Sequence, residues 1–100
     1  MEQHIAIASN NGHLSNPEIQ GTKLITFNLE NDQIMGVRDE VPNKRDVWSL
    51  VNWFLLNNIN KLFASSVSPV LHQSLISLGV VVRQKNEVTN DPFYNRFIFD

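Results

Sequence analysis

Residues 46–83, DVWSLVNWFLLNNINKLFASSVSPVLHQSLISLGVVVR, constrain the fold more than any other part of this chain. They read as helix, strand, helix, strand. Asp46 is suited to cap a helix, because its carboxylate accepts hydrogen bonds from free first-turn amides. Val47, Leu50, Val51, Phe54 and Leu55 then recur at three- and four-residue spacing, which places them on one helical face. Trp48, Trp53 and Leu56 widen that face, so the helix is expected to be covered on more than one side. Asn57 and Asn58 tolerate the left-handed conformation that ends helices. The apolar run at 61–65 has the length of a strand. Ser68–Pro69 is a helix start, a serine cap followed by proline at the first helical position. Leu71, Leu75 and Leu78 form the expected buried stripe, with Ile76 beside it and Gly79 at the C-terminal cap. Val80, Val81 and Val82 show no alternation, the pattern of a strand covered on both faces. Two strands joined by a helix at this spacing imply a parallel pair with a right-handed crossover.

The rest of the chain supplies antiparallel partners. Residues 4–9 form a buried first strand, closed by a turn at 10–13 and a loop running to about Gly21. Residues 23–30 alternate, with Ile25, Phe27 and Leu29 on one face and Thr26, Asn28 and Glu30 on the other. Asn31–Asp32 turns the chain into a third strand at 33–40, making a hairpin, and Gly36 within it marks a bulge. Residues 41–45 form a loop and 86–90 a polar linker. The tail, 91–100, fits a short helix opened by Asp91–Pro92, or a strand from its aromatic content; the helix is the reading preferred. The fold expected is therefore α/β: a mixed five-stranded sheet in the order 3-2-1-4-5, flanked by helices, in a single domain of 100 residues.

Composition removes whole classes of function. With 42% hydrophobic and 18% charged residues the chain has enough apolar side chains to fold. It has no cysteine, which excludes disulfides, thiolate metal sites and cysteine nucleophiles. Eight basic residues against ten acidic ones, with no basic block, argue against nucleic acid as a partner. No signal peptide and no apolar run of membrane-spanning length is visible, so no membrane partner and a cytoplasmic location are expected.

The element order, opened by HisIleAlaIleAlaSerAsnAsnGly at 4–12, resembles the dinitrogenase iron–molybdenum cofactor biosynthesis family, whose members include NifX and NafY. The likeness spans most of residues 3–83. It is carried by the first strand ending in a small residue and a polar glycine turn, by the strand at 23–30, by the helix and apolar strand at 52–64, and by the last helix and strand with Gly79 in place. The resemblance implies a ribonuclease-H-like fold and a small protein that binds or carries an iron–molybdenum cofactor or its precursor. Family members that carry the cluster usually show His-Phe-Gly before the second strand, where this chain has ProGluIleGlnGly at 17–21. Many also have a His- and Gly-rich loop before the first helix, where this chain has ValProAsnLysArg at 41–45.

Candidate site residues follow from the sheet order. The order reverses between the first and fourth strands, and ligands of open α/β sheets bind at such a switch point. The loops opening there carry Asn11 and His13 on one side and Ser65, Ser66, Ser68 and His72 on the other. A His13–His72 pair is a candidate for metal ligation, although two imidazoles alone fall short of a closed metal site. Ser68 and the first amides of its helix are candidates for holding an anion. The plain alternatives are a solvated loop histidine at 13, a helix-surface histidine at 72, and a strand-start histidine at 4. No nucleophile elbow accompanies the serines, and Asp32, Asp39, Glu40 and Asp46 gather at the hairpin and helix start, where Asp46 serves as a cap. No enzymatic activity is expected, a ribonuclease-H-like hydrolase being the least favoured reading. Two functions remain: a carrier of a metallocluster or small anionic ligand, and a protein-interaction or regulatory module without a cluster.

Overall fold

The computed structural model describes residues 2–88, 90–92 and 94. Its elements are β1 (Glu2–Asn10), β2 (His13–Leu14), β3 (Lys23–Glu30), β4 (Gln33–Glu40), α1 (Val47–Leu56), β5 (Lys61–Phe63), α2 (Pro69–Ser77), β6 (Val81–Arg83) and α3 (Lys85–Val88). The sheet runs β4–β3–β1–β5–β6, with β2 folded back on the end of β1. β1 pairs antiparallel with β3 and parallel with β5, and β5 is parallel to β6. The order expected from sequence is present in full. The addition is β2: Asn11 and Gly12, at φ +53° and +82°, make a two-residue turn that returns the chain as a short strand rather than a loop.

Local chemistry accounts for the boundaries. Asn31 and Asp32 both take positive φ, so a tight turn of the kind that matches strand twist joins β3 to β4. Gly36 faces Asn28 and Ile34 faces Leu29, leaving Met35 as the extra residue of a bulge. Asp46 caps α1: its Oδ2 accepts from the Ser49 amide at 3.1 Å and its Oδ1 from the Ser49 hydroxyl at 2.7 Å. Asn58, at φ +54°, ends the helix, and the Ile59 amide donates back to the Phe54 carbonyl. Gly79, at φ +85°, ends the turn after α2, where a side chain would strain the backbone.

Each sheet face has its own core. On one face Ala6, Ala8, Leu24, Leu62, Ala64 and Val82 meet Leu50 and Phe54 of α1 and Leu71 and Leu75 of α2. Ala6, Ala8 and Ala64 are small, which lets the helices lie close over them, while Leu24, Leu62 and Val82 fill the space around them. On the other face Ile5, Ile7, Phe27, Leu29 and Phe63 meet Val88 and Tyr94. Asp91 anchors this side: its buried carboxylate accepts from Lys61 Nζ at 2.9 Å, with Arg83 Nε 3.6 Å away.

Four expectations are corrected. Residues 86–90 were expected as a linker, yet Lys85–Val88 is a helical turn that buries Val88, with the Gln84 amide donating to Glu87 Oε1. Val81 is exposed because β6 is the sheet edge and one of its faces is uncovered. Leu55, Leu56 and Trp48, assigned to a covered helix, are exposed at 57%, 72% and 75%, because a helix on a sheet hides one side only. Leu78, assigned to the buried stripe, is likewise exposed, since it lies beyond the last helical residue. Trp53 is half-buried at the flank of α1, where its indole Nε1 donates to Glu40 Oε2 at 2.9 Å. Of the tail at 91–100, only Asp91, Pro92 and Tyr94 are described, so its expected conformation lies outside the described residues.

Candidate functional site

The loops after β1 and β5 meet at one end of the sheet, as the switch point requires. The Ser65 amide donates to the Ser15 carbonyl at 3.0 Å, and the Lys85 amide donates to the Ser65 carbonyl at 3.3 Å. The Val67 amide donates to Gln84 Oε1. Three loops, those following β2, β5 and β6, are thus tied through Ser65.

The predicted residues occupy this end with different freedom. Asn11 and His13 are exposed, Asn11 in the turn and His13 on β2 opposite Asn10. Ser66 is exposed and Ser65 half-buried. Ser68 caps α2, its Oγ accepting from the Leu71 amide at 3.3 Å. His72 is half-buried one turn into that helix. Among the described residues no three His, Asp or Glu side chains come together as a metal-ligating group.

Glu18 is the residue that sequence reasoning missed. Its Oε1 accepts from the Ser68 amide at 3.0 Å. A carboxylate thus sits at the N-terminus of α2, favoured by the free amides and the helix dipole there. That is the position an anionic ligand on Ser68 would take. The loop that delivers Glu18 is held by Arg45, whose Nη1 donates to the Pro17 carbonyl at 3.0 Å and Nη2 to the Thr22 carbonyl at 2.8 Å. A buried hydrogen bond between Ser15 Oγ and Thr22 Oγ1, 2.9 Å long, closes the same loop. Neither Glu18 nor Arg45 carries a local signal, because their partners lie 50 and about 25 residues away in sequence.

Two open depressions flank the tied loops. One, of about 320 Å³, is lined by Ser65, Gln84, Lys85, Asn86 and Glu87. The other, of about 430 Å³, is lined in part by Glu18, Gly21, Pro42 and Arg45. Lys85 is the basic side chain of the first; in the second, the guanidinium of Arg45 is already engaged by backbone carbonyls. The donor set is imidazole, hydroxyl, amide and ammonium. It suits hydrogen bonding to a small anion, or a single imidazole contact to a metal, rather than multidentate ligation.

No family model and no curated protein sequence matches this chain. Solved structures do. The protein PH0822 superposes with a TM-score of 0.63 at 15% identity, over 80% of this chain and 76% of its own. A protein described as a "putative dinitrogenase" from Methanocaldococcus jannaschii superposes with a TM-score of 0.64 at 10% identity, over 85% of this chain and 77% of its own. At such identities the likeness is one of fold: an α/β arrangement with helices on a mixed sheet, shared across most of each chain.

Proposed function

We propose that this protein is a small, non-enzymatic binding protein of the nitrogenase-accessory type, which binds or carries an iron–molybdenum cofactor, a precursor of it, or another small anionic ligand. The ligand would sit at the ends of β1 and β5, against Asn11, His13, Ser65, Ser66, Ser68 and His72. The observation that carries this reading is the switch point: β1 lies between an antiparallel and a parallel neighbour, and the loops bearing these residues are tied together at that end. The fold shared with the M. jannaschii protein supports it. His13 offers an exposed imidazole to the cargo, and hydroxyls and amides offer hydrogen bonds. Glu18 opposes an anion at Ser68 and would have to swing away on binding.

The test is anaerobic incubation with isolated iron–molybdenum cofactor, followed by gel filtration, metal analysis and a visible spectrum. Molybdenum and iron co-eluting near one cofactor per chain, lower in His13→Ala and higher in Glu18→Gln, is the expected result. A colourless, metal-free wild-type protein would sink the carrier reading. The second reading, an interaction or regulatory module without a cluster, is favoured by residues 17–21, which place Glu18 rather than a histidine beside α2.

A further inference from the structure

We propose that the outer face of α1 and α2 is the contact surface of a symmetric dimer, in which a second copy of this chain seats its Trp48 in a cavity at the other end of the helix pair. Between Asp46 and Arg83 the sequence holds one residue of the Asp, Glu, Lys and Arg set, Lys61, and that residue is on the sheet. Neither helix has an acidic residue in its first turn or a basic one in its last. A solvent-facing helix side is ordinarily charged, but here it carries Trp48, Leu55, Leu56, Val70, Ile76 and Leu78, all exposed. If a large side chain exposes about 150–250 Å² when free, these present on the order of 600 Å² of apolar surface. That approaches the roughly 800 Å² each partner gives to a standard interface and lies at the upper end of what a monomer ordinarily leaves open in one patch.

Charge and geometry select a second copy as the occupant. Across a two-fold axis a surface meets itself, so a charged side chain near the axis would face its like; this surface has none. α1 and α2 both run from the switch-point end of the sheet towards the opposite end, because each leads into one of the parallel strands β5 and β6. A two-fold axis lying in the contact plane and crossing the helices at right angles turns the two outer faces toward each other and sets the partner's helices antiparallel to them, opposing the dipoles. Trp48, Asn52 and Leu55 recur at the spacing of one helical stripe. Trp48 is at its start, and at its end is a cavity of about 190 Å³ lined by Phe54, Leu55, Leu78 and Val80 with three neighbouring residues. Trp48 and Leu55 are about 10 Å apart along the axis. A two-fold passing near Asn52 brings the indole of each copy over the cavity of the other, a buried aromatic anchor of the kind that dominates interfaces.

The experiment is sedimentation equilibrium of the full chain from about 1 to about 200 µM, concentrations that bracket micromolar association. The expected species has twice the 11.5 kDa chain mass. Trp48→Ala, at an exposed position that leaves both cores intact, should weaken association by about thirty-fold or more. The chain has no cysteine, so Asn52→Cys introduces a single thiol that should form a covalent dimer on mild oxidation, while Gln33→Cys on β4 should not. A monomer at the highest concentration, or a dimer indifferent to Trp48→Ala, overturns the proposal. A dimer that needs Trp48 but does not cross-link at residue 52 overturns the two-fold register.

Discussion

Arg45 illustrates how one side chain can set a loop. Its two hydrogen bonds go to the carbonyls of Pro17 and Thr22, and they fix the segment that carries Glu18 to the start of α2. Arg45→Met keeps much of the aliphatic stem and leaves both carbonyls without this donor. The expected cost is about 1–3 kcal/mol, measured by urea unfolding, with faster amide exchange confined at first to 16–22. Asp46 is a second case, read through pH. Hydrogen bonds from the Ser49 hydroxyl and amide hold its carboxyl below the ordinary value of 3.8. A carboxylate depressed in the folded state stabilises the fold above its unfolded value, and loses that contribution as pH falls through the folded one. Wild type should therefore melt higher than Asp46→Asn near pH 6, with the gap closing as pH falls below the ordinary carboxyl value of 3.8 and through the lower folded one. A gap that stays constant as the pH is lowered would show that the carboxylate charge is not what stabilises the cap.

At the scale of elements, β1 decides how closely the helices approach. Ala6 and Ala8 lie fully buried on the helix side, beside Ala64 of the β5 loop, while Ile5 and Ile7 fill the opposite side. The alternation of small and large residues along one strand gives two cores of different depth. Ala8→Leu should overpack the α1 and α2 side by about 1–3 kcal/mol, read as a lower urea midpoint with an unchanged slope. The α1 flank is tied to the sheet edge by polar side chains instead: Trp53 to Glu40, and Arg38 Nη2 to Asn57 Oδ1 at 3.1 Å. These two contacts explain why α1 lies towards β4 although most of β4 is exposed.

For the whole molecule, the topology makes β1 the spine. It is paired on both sides along much of its length and covered on both faces, whereas β4 and β6 are edges. Native-state amide exchange should be slowest at residues 5–8, slower than anywhere in β4, because opening the spine requires both cores to separate. Equal protection of β4 and β1 would argue against this hierarchy. No helix among the described residues is long and apolar enough to cross a membrane. The molecule therefore presents two ends and one face with distinct chemistry: polar loops at the switch point, a cavity at the opposite end lined by apolar side chains together with Asn58 and Asn60, and the uncharged helix layer that joins them.

Local signals fixed much of this architecture. Asp46, Ser68–Pro69, Asn58 and Gly79 each act within about five residues, through capping bonds or a positive φ, so they are legible one residue at a time. The alternation at 23–30 and the spacing of the βα units carried the sheet order for the same reason: period and loop length restrict which strands can be neighbours. The switch point followed from that order, and the structure ties the chain there from Ser15 to Ser65. What the sequence left open depends on which surfaces find a partner. Apolar residues at helical spacing read alike whether covered or bare, so Trp48, Leu55 and Leu56 became distinguishable from Leu50 and Phe54 only once the sheet claimed one side of α1. The same holds for Glu18 at the N-terminus of α2 and for Asp91 between Lys61 and Arg83. These are long-range encounters of charge, and a chain read in one dimension contains the charges without the distances between them.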